Sequence, residues 1–132
     1  MDFYTVFALD DDALFLRSLE RNLRRPDRGK EFILTTATSL EQALPFVQAI
    51  EPDVILCDFR LGRGRTGVEL LEQIPANWHG RFIFHTSVVP EAREACVKLG
   101  LAVPTMIGKP ASPRELLNLF HVIIDGGKPD VA

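Results

Sequence analysis

The sequence is poor in cysteine, has no long apolar run and carries no excess of positive charge. Its two cysteines, Cys57 and Cys96, lie inside apolar segments without disulfide or metal-ligand spacing, which predicts reduced core thiols in a cytoplasmic protein. No apolar run approaches the roughly 20 residues that a membrane-spanning helix needs, and the N-terminus lacks a signal-peptide pattern. The formal net charge of −3 argues against nucleic acid as a direct partner. We therefore expect direct contact with neither membrane nor nucleic acid.

What the chain does have is a regular alternation of two kinds of segment. Short apolar runs rich in β-forming residues alternate with segments of helical periodicity, and the connections are short. This alternation predicts an α/β fold in which a five-stranded parallel sheet is covered by five helices on both faces, in the flavodoxin-like strand order 2-1-3-4-5. The 132 residues are expected to form a single domain with a core at about 3–125 and a polar tail after residue 125. The predicted strands are 4–9, 32–37, 53–58, 81–85 and 103–107, and the predicted helices are 12–25, 39–50, 68–74, 90–99 and 112–124.

Capping residues mark where several helices begin. Ser39 with Gln42, and Ser112 with Glu115, have the spacing of a capping box, in which two side chains satisfy each other's free backbone N–H groups. Pro45 falls inside the second predicted helix, where it is expected to kink the helix or delay its start.

Polar side chains follow every predicted strand, and those after the second, Thr38 and Ser39, are explained by helix capping. The first strand ends in Asp10 and Asp11, the third in Asp58, the fourth in Thr86 and the fifth in Lys109. A single aspartate at a strand end is usually only a loop cap. Because the carboxyl ends of parallel strands meet at one edge of the sheet, however, all five side chains are expected to share one crevice.

Such a crevice favours metal-assisted phosphoryl transfer. Two carboxylates about 4 Å apart repel each other by about 4 kcal/mol at a surface-like dielectric, and a bound Mg²⁺ relieves that repulsion. Asp58 is the candidate nucleophile, while Mg²⁺, the Lys109 ammonium and the Thr86 hydroxyl would each hold one phosphoryl oxygen. A preorganised donor of this kind is typically worth about 3 kcal/mol of barrier.

With these motifs the chain resembles the receiver domains of two-component response regulators along essentially its whole length. The resemblance is carried by VFALDDD (6–12), LERNL (19–23), EPDVILCDFRL (51–61), FIFHTS (82–87) and GKP (108–110). It implies Mg²⁺-dependent phosphorylation of Asp58 within a phosphorelay, by a histidine kinase or a histidine phosphotransfer protein. The chain is then a signalling module rather than an enzyme, with at most self-catalysed phosphorylation and dephosphorylation.

The resemblance also assigns the metal ligands. Asp11, Asp58 and the backbone carbonyl of Arg60 are implied to bind Mg²⁺, and Asp10 is implied to act through a water molecule. Asp12, which belongs to the same acidic run, is expected to cap the first helix instead.

The resemblance further implies that Thr86 and Lys109 bind the phosphoryl group and relay its presence to a surface made by helix 4, strand 5 and helix 5. A downstream protein or a second copy of the chain would dock there. Many family members have an aromatic switch residue three positions before the lysine, and this chain has Met106. Methionine is flexible enough to fill the space that the threonine vacates.

Two further features leave alternatives open. The loop after Asp58 has Gly62 where proline is common, and its Arg63 and Arg65 are expected to be solvated rather than to meet an acidic partner or an incoming phosphate. Phe15 is expected either to anchor a phosphodonor protein or to pack into the core.

Two other functions compete with phosphorelay signalling. A phosphatase of the haloacid-dehalogenase type also uses an aspartate nucleophile, and Asp10-x-Asp12 superficially fits its opening motif. That hypothesis lacks a cap domain and a late acidic pair, and it leaves Asp58 without a role. The other alternative is a receiver-like interaction module that works without phosphorylation.

Overall fold

Five strands alternate with five helices in the computed structural model, which describes residues 2–126. The predicted polar tail lies, apart from Gly126, outside the described residues. The strands are β1 (Asp2–Leu9), β2 (Lys30–Ala37), β3 (Val54–Cys57), β4 (Arg81–Thr86) and β5 (Thr105–Gly108). The helices are α1 (Ala13–Leu23), α2 (Leu40–Ala49), α3 (Val68–Glu72), α4 (Val89–Lys98) and α5 (Pro113–Ile124).

The strands form one parallel sheet in the order β2-β1-β3-β4-β5, which confirms the predicted fold class. Leu9 of β1 pairs with Cys57 of β3, and Cys57 pairs with Phe84 of β4. The residues that follow Leu9 and Cys57 therefore leave the sheet side by side at its carboxyl edge. All four residues of β3 are buried, as expected for a central strand covered on both faces.

Side chains alternate between two hydrophobic clusters, one on each face of the sheet. The α2–α4 face is covered by α2, α3 and α4, and the α1–α5 face by α1 and α5. Helical spacing explains the second cluster well, since Leu16, Leu19 and Leu23 of α1 share one side of the helix and are all buried. Both cysteines are free and buried, which confirms their prediction as core thiols.

Several predicted boundaries need correction. Strand β5 begins at Thr105 rather than at residue 103, because Pro104 has no N–H to donate to a neighbouring strand. Helix α3 ends at Glu72, two residues earlier than predicted, before Pro75 interrupts the chain. Strands β1 and β2 each begin two residues earlier than predicted, at Asp2 and Lys30.

The two predicted capping boxes have different outcomes. Ser112 and Glu115 form the complete box at the start of α5. Ser39 caps α2 by accepting from the Gln42 backbone N–H, but the Gln42 side chain accepts from the N–H of Thr38, 2.8 Å away, so the box predicted there is wrong. Pro45 lies inside α2 and does not delay its start. None of the helices in residues 2–126 has the length and apolar character needed to cross a membrane.

Candidate functional site

Three aspartates meet at the carboxyl edge of the sheet. Asp10 and Asp58 follow the paired strands β1 and β3, and the Asp58 backbone N–H donates to the carbonyl of Leu9 at 2.9 Å. Asp11 is the next residue after Asp10. One carboxylate oxygen from each of Asp10, Asp11 and Asp58 lies within 4.8 Å of the other two. The structure thus brings together the three carboxylates that the strand ends predict.

The three carboxylates differ in exposure. Asp10 is only 2% exposed and Asp58 8%, whereas Asp11 faces solvent. Burial raises the pKa of Asp10, and this effect exceeds the opposing ones of the Asp12 backbone N–H and the Lys109 ammonium, which lower the pKa. Keeping Asp10 ionised in the folded protein therefore costs free energy of folding.

Lys109 bridges the two buried carboxylates. Its Nζ lies 2.7 Å from Oδ2 of Asp58 and 3.0 Å from Oδ2 of Asp10. Burial alone would lower the pKa of Lys109, but the hydrogen bonds to Asp58 and Asp10 raise it above its usual value. The lysine is held in this place by its own backbone, because its N–H donates to the carbonyl of Thr86 at 2.9 Å.

The charge balance of the site favours a divalent cation. Three formal negative charges, from Asp10, Asp11 and Asp58, face the single positive charge of Lys109. Carboxylate oxygens are the ligands that Mg²⁺ prefers, so this donor set fits that ion. Arg60 follows in the loop after Asp58, and its backbone carbonyl as a fourth ligand stays a prediction.

Thr86 and Met106 lie on the neighbouring strands. Thr86 ends β4, is 1% exposed, and its hydroxyl accepts from the backbone N–H of Val88 at 3.3 Å. Met106 of β5 pairs in register with Phe84, and its buried side chain belongs to the cluster on the α2–α4 face. The residue at the switch position therefore already points into the core.

Sequence reasoning missed the importance of Gly67. A Cβ atom at this position would lie 2.5 Å from the carbonyl oxygen of Asp58, 2.6 Å from Sγ of Cys57 and 2.8 Å from the ring of Phe84. Real Cβ atoms do not approach neighbours so closely, so only glycine lets the loop close behind Asp58. The sequence signal was a loop with several glycines, which does not tell which of them is in contact.

Arginines of the same loop make ion pairs. Arg60 contacts Glu91 in the first turn of α4, a partner that the sequence did not reveal. Arg65 pairs with Glu41 and with Glu69, both at 2.9 Å, and its side chain stays 41% exposed, so it is partly solvated and also held within the chain. Arg63 is exposed.

Helix α1 begins directly after the acidic run. The side chain of Asp12 accepts from the backbone N–H groups of Leu14 and Phe15, which confirms its role as helix cap. Phe15 is half-buried against the α1–α5 face, as the core-packing alternative expected. Its ring lies 5.0 Å from that of His85, and Nζ of Lys109 lies 5.9 Å from its centroid. His85 was not among the predicted site residues.

Comparison with known proteins gives one consistent result. The family model described as "Response regulator receiver domain" matches residues 6–121. The CheY-like response regulator receiver domain protein from Methanospirillum hungatei JF-1 has a TM-score of 0.76 at 23% identity, over 95% of this chain and 96% of that one. Chemotaxis response regulator CheY4 of Vibrio cholerae has a TM-score of 0.67 at 22% identity, over 90% of this chain and 97% of that one.

A third similar structure is the BeF3-activated DrrB receiver domain, with a TM-score of 0.72 at 18% identity, over 93% of this chain and 98% of that one. At such low identities these likenesses show the fold alone. The search among curated proteins found no match.

Proposed function

Because the chain belongs to the family of response regulator receiver domains, we propose that it is a phosphoacceptor signalling module with Asp58 as its phosphorylation site. The observation that carries this proposal is the Lys109 ammonium, which bridges Asp58 and Asp10 inside a cluster of three carboxylates. The phosphodonor is a histidine kinase or a histidine phosphotransfer protein in a two-component phosphorelay. The proposed domain covers residues 1–132.

In the proposed reaction the Asp58 carboxylate attacks the phosphorus of a phosphohistidine. The P–O bond to Asp58 forms as the P–N bond to the donor imidazole breaks. Lys109 exchanges its contact with Asp58 for one with a phosphoryl oxygen, and the hydroxyl of Thr86 takes a second oxygen. Lys109 is a preorganised donor, since its backbone is tied to Thr86 at the end of β4.

Mg²⁺ is the proposed cofactor. Asp11, Asp58 and the backbone carbonyl of Arg60 would hold it, with Asp10 acting through water. When bound, the ion supplies the positive charge that the carboxylate cluster lacks and that the transferred phosphoryl group needs.

The proposed output is a change in partner binding. Movement of Thr86 toward the phosphoryl group would alter its contact with Val88, which precedes α4, and would let Met106 repack beside it. The affected surface is made by α4, β5 and α5, and the occupant is a downstream protein or a second copy of the chain. We place this signalling in the cytoplasm, and the chain is not expected to turn over substrates as an enzyme.

One contact weighs against the phosphatase hypothesis. That hypothesis uses Asp12 as part of its opening motif, whereas Oδ1 of Asp12 accepts two backbone N–H groups in the first turn of α1, as a helix cap does. The interaction module without phosphorylation differs from our proposal in one measurable respect: its partner affinity is the same with and without beryllofluoride.

Intact-mass spectrometry after incubation with acetyl phosphate and Mg²⁺ tests the proposal directly. We expect wild type to gain the mass of one phosphoryl group, and Asp58→Asn to gain none. Asp53→Asn is the matched control, because Asp53 flanks the opposite end of β3 and its exposed carboxylate contacts Thr5. This control is expected to gain mass as wild type does. An unmodified wild type, or an equal gain in Asp58→Asn, contradicts the proposal.

A further inference from the structure

The imidazole of His85 is buried inside the fold. His85 lies near the end of β4, pairs in register with Ile107 of β5, and is 2% exposed. Among residues 2–126 neither ring nitrogen has a hydrogen-bond partner. Buried side-chain nitrogens almost always have a hydrogen-bond partner, so the imidazole of His85 needs an explanation.

The surroundings of His85 connect it to the phosphorylation site. The ring of Phe15 lies against the imidazole of His85, with 5.0 Å between the two ring centroids. Nζ of Lys109 lies over the same Phe15 ring, 5.9 Å from its centroid. Thr86, which follows His85, accepts the backbone N–H of Lys109. The imidazole of His85 and the ammonium of Lys109 thus lie against the same Phe15 ring, and the backbone of Lys109 is bound to the residue next to His85.

The imidazole is neutral under ordinary conditions. Burial lowers the pKa of His85 to about 4, and the positive charge of Lys109 acts in the same direction. A neutral imidazole presents one N–H donor and one nitrogen lone pair. That lone pair is an uncharged acceptor on a ring that shares Phe15 as a neighbour with the Lys109 ammonium.

Lys109 has one N–H group left to place. Its ammonium offers three donors, of which two are directed at Asp10 and Asp58. Phosphorylation turns the Asp58 carboxylate into an acyl phosphate and so removes one of these two ionic contacts. The ammonium then has to be held by a phosphoryl oxygen, by Asp10 and by a third acceptor.

We propose that His85 is a positioning residue whose unprotonated ring nitrogen accepts the third N–H of Lys109 when Asp58 carries a phosphoryl group. The proposal rests on the proposed function and adds a residue to it. His85 does not touch the phosphoryl group. It acts through Lys109 by keeping the ammonium aimed at the phosphoryl oxygens, and Phe15 keeps the imidazole in place.

Nitrogen NMR of the imidazoles tests this proposal, because the chain has only three histidines. In ¹⁵N-histidine-labelled protein, Mg²⁺ and beryllofluoride are expected to shift the unprotonated nitrogen of His85 upfield, as a new hydrogen bond does. His79 and His121 serve as internal references and are expected to stay unchanged. The beryllofluoride adduct itself is followed by ¹⁹F NMR.

The possible outcomes separate the two proposals. An adduct with an unchanged His85 resonance overturns the role of His85 and leaves the phosphoacceptor function intact. No adduct at all overturns the phosphoacceptor function, and the role of His85 falls with it.

Substitutions provide a second test. In His85→Leu, phosphorylation by acetyl phosphate is expected to slow by about tenfold, as loss of a hydrogen bond to a charged group predicts. His85→Asn and His85→Gln keep an acceptor near one or the other ring nitrogen, and at least one of them is expected to restore most of the rate. His79→Leu, at an exposed histidine, is the matched control.

A purely structural role of His85 predicts a different pattern, in which His85→Leu lowers the unfolding temperature and slows the reaction together. The proposed positioning role predicts no such loss of stability. Removing an unpaired buried polar group is expected to leave the unfolding temperature of His85→Leu unchanged or higher. A slower reaction in a variant that is no less stable therefore supports positioning. A wild-type rate in His85→Leu overturns it, and the NMR measurement stands on the wild-type chain if that variant does not fold.

Discussion

Two clusters of charged side chains lie near opposite edges of the sheet and balance their charges in opposite ways. Asp27, just before β2, is surrounded by donors: Nε of Arg28 and Nη1 of Arg114 each lie 3.1 Å from its carboxylate, and Nε2 of His121 lies 2.9 Å away. Burial would raise the pKa of Asp27, but the hydrogen bonds from Arg28, Arg114 and His121 lower it to about 2.

The crevice at the carboxyl edge has the reverse arrangement. Three carboxylates share one ammonium, and burial raises the pKa of Asp10. At Asp27 one carboxylate has several donors and nothing further to bind, so the cluster fastens the segment before β2 to α5. The carboxyl-edge cluster has more carboxylates than cations within residues 2–126, so a bound cation would stabilise it. A surplus of carboxylates, rather than their mere proximity, distinguishes a binding site from a structural contact.

The largest expected effect comes from removing Lys109, the cation that contacts the carboxyl-edge cluster within residues 2–126. Lys109→Met is expected to slow phosphorylation of Asp58 by about 100-fold or more, the usual consequence of losing a preorganised donor. Arg114→Met removes a cation from the Asp27 cluster and is expected to leave the rate unchanged. Intact-mass time courses with acetyl phosphate measure both rates. Equal losses in the two variants would remove the distinction between the clusters.

Mg²⁺ is expected to stabilise the protein through the carboxyl-edge cluster alone. At a concentration about 100 times its dissociation constant, the ion raises the free energy of unfolding by about 2.7 kcal/mol. Urea titrations with Mg²⁺ and with a chelator measure this difference. It should disappear in Asp11→Asn and persist in Asp125→Asn, an exposed aspartate that pairs with Lys30. Mg²⁺ stabilisation that survives in Asp11→Asn would place the metal elsewhere.

Neutral asparagine is expected to have opposite effects on stability at the two clusters when Mg²⁺ is absent. Asp27→Asn loses charge-assisted hydrogen bonds at a site that is partly open to solvent, and should unfold about 1–2 kcal/mol more easily. Asp10→Asn removes a buried carboxylate whose ionised form is disfavoured, and should unfold less easily. Urea unfolding at neutral pH gives the two signs, and the same sign for both variants contradicts the comparison.

The smallest expected effect is a difference in acid behaviour. Because the pKa of Asp27 falls from 3.8 to about 2 on folding, its stabilising contribution is complete above 3.8 and is lost as the pH falls through about 2. The stability gap between wild type and Asp27→Asn should therefore close over that interval. The pKa of Asp10 is raised by folding, so its destabilisation at neutral pH is relieved as the pH falls through the folded value. Unfolding curves at several pH values test both trends, and a gap for Asp27→Asn that is constant with pH would contradict the first.

The sequence was sufficient to predict the fold and the meeting of the strand ends, for a physical reason. The parallel direction of the strands follows from alternation along the chain, and it brings Asp10, Asp58 and Lys109 to one edge of the sheet. Local hydrogen bonds were harder, because the pattern predicts that the Gln42 side chain accepts from the N–H of Ser39, whereas it accepts from the N–H of Thr38.

Contacts between distant segments could not be predicted from the sequence. Asp27 and His121 are 94 positions apart, and Arg60 and Glu91 are 31 apart, so no periodicity connects them. His85 was missed because a histidine in an apolar strand gives no signal of what it faces. Only the folded structure shows that His85 lies beside Phe15.

The close approach at Gly67 has a consequence for protein engineering. A saturation library at this position is expected to return glycine alone, because any side chain would push the end of β3 out of place and carry Asp58 with it. Gly64 in the same loop has a left-handed backbone but open space around it, and asparagine is expected to be accepted there. The mutational tolerance of this loop is thus expected to depend on how near each residue lies to Asp58.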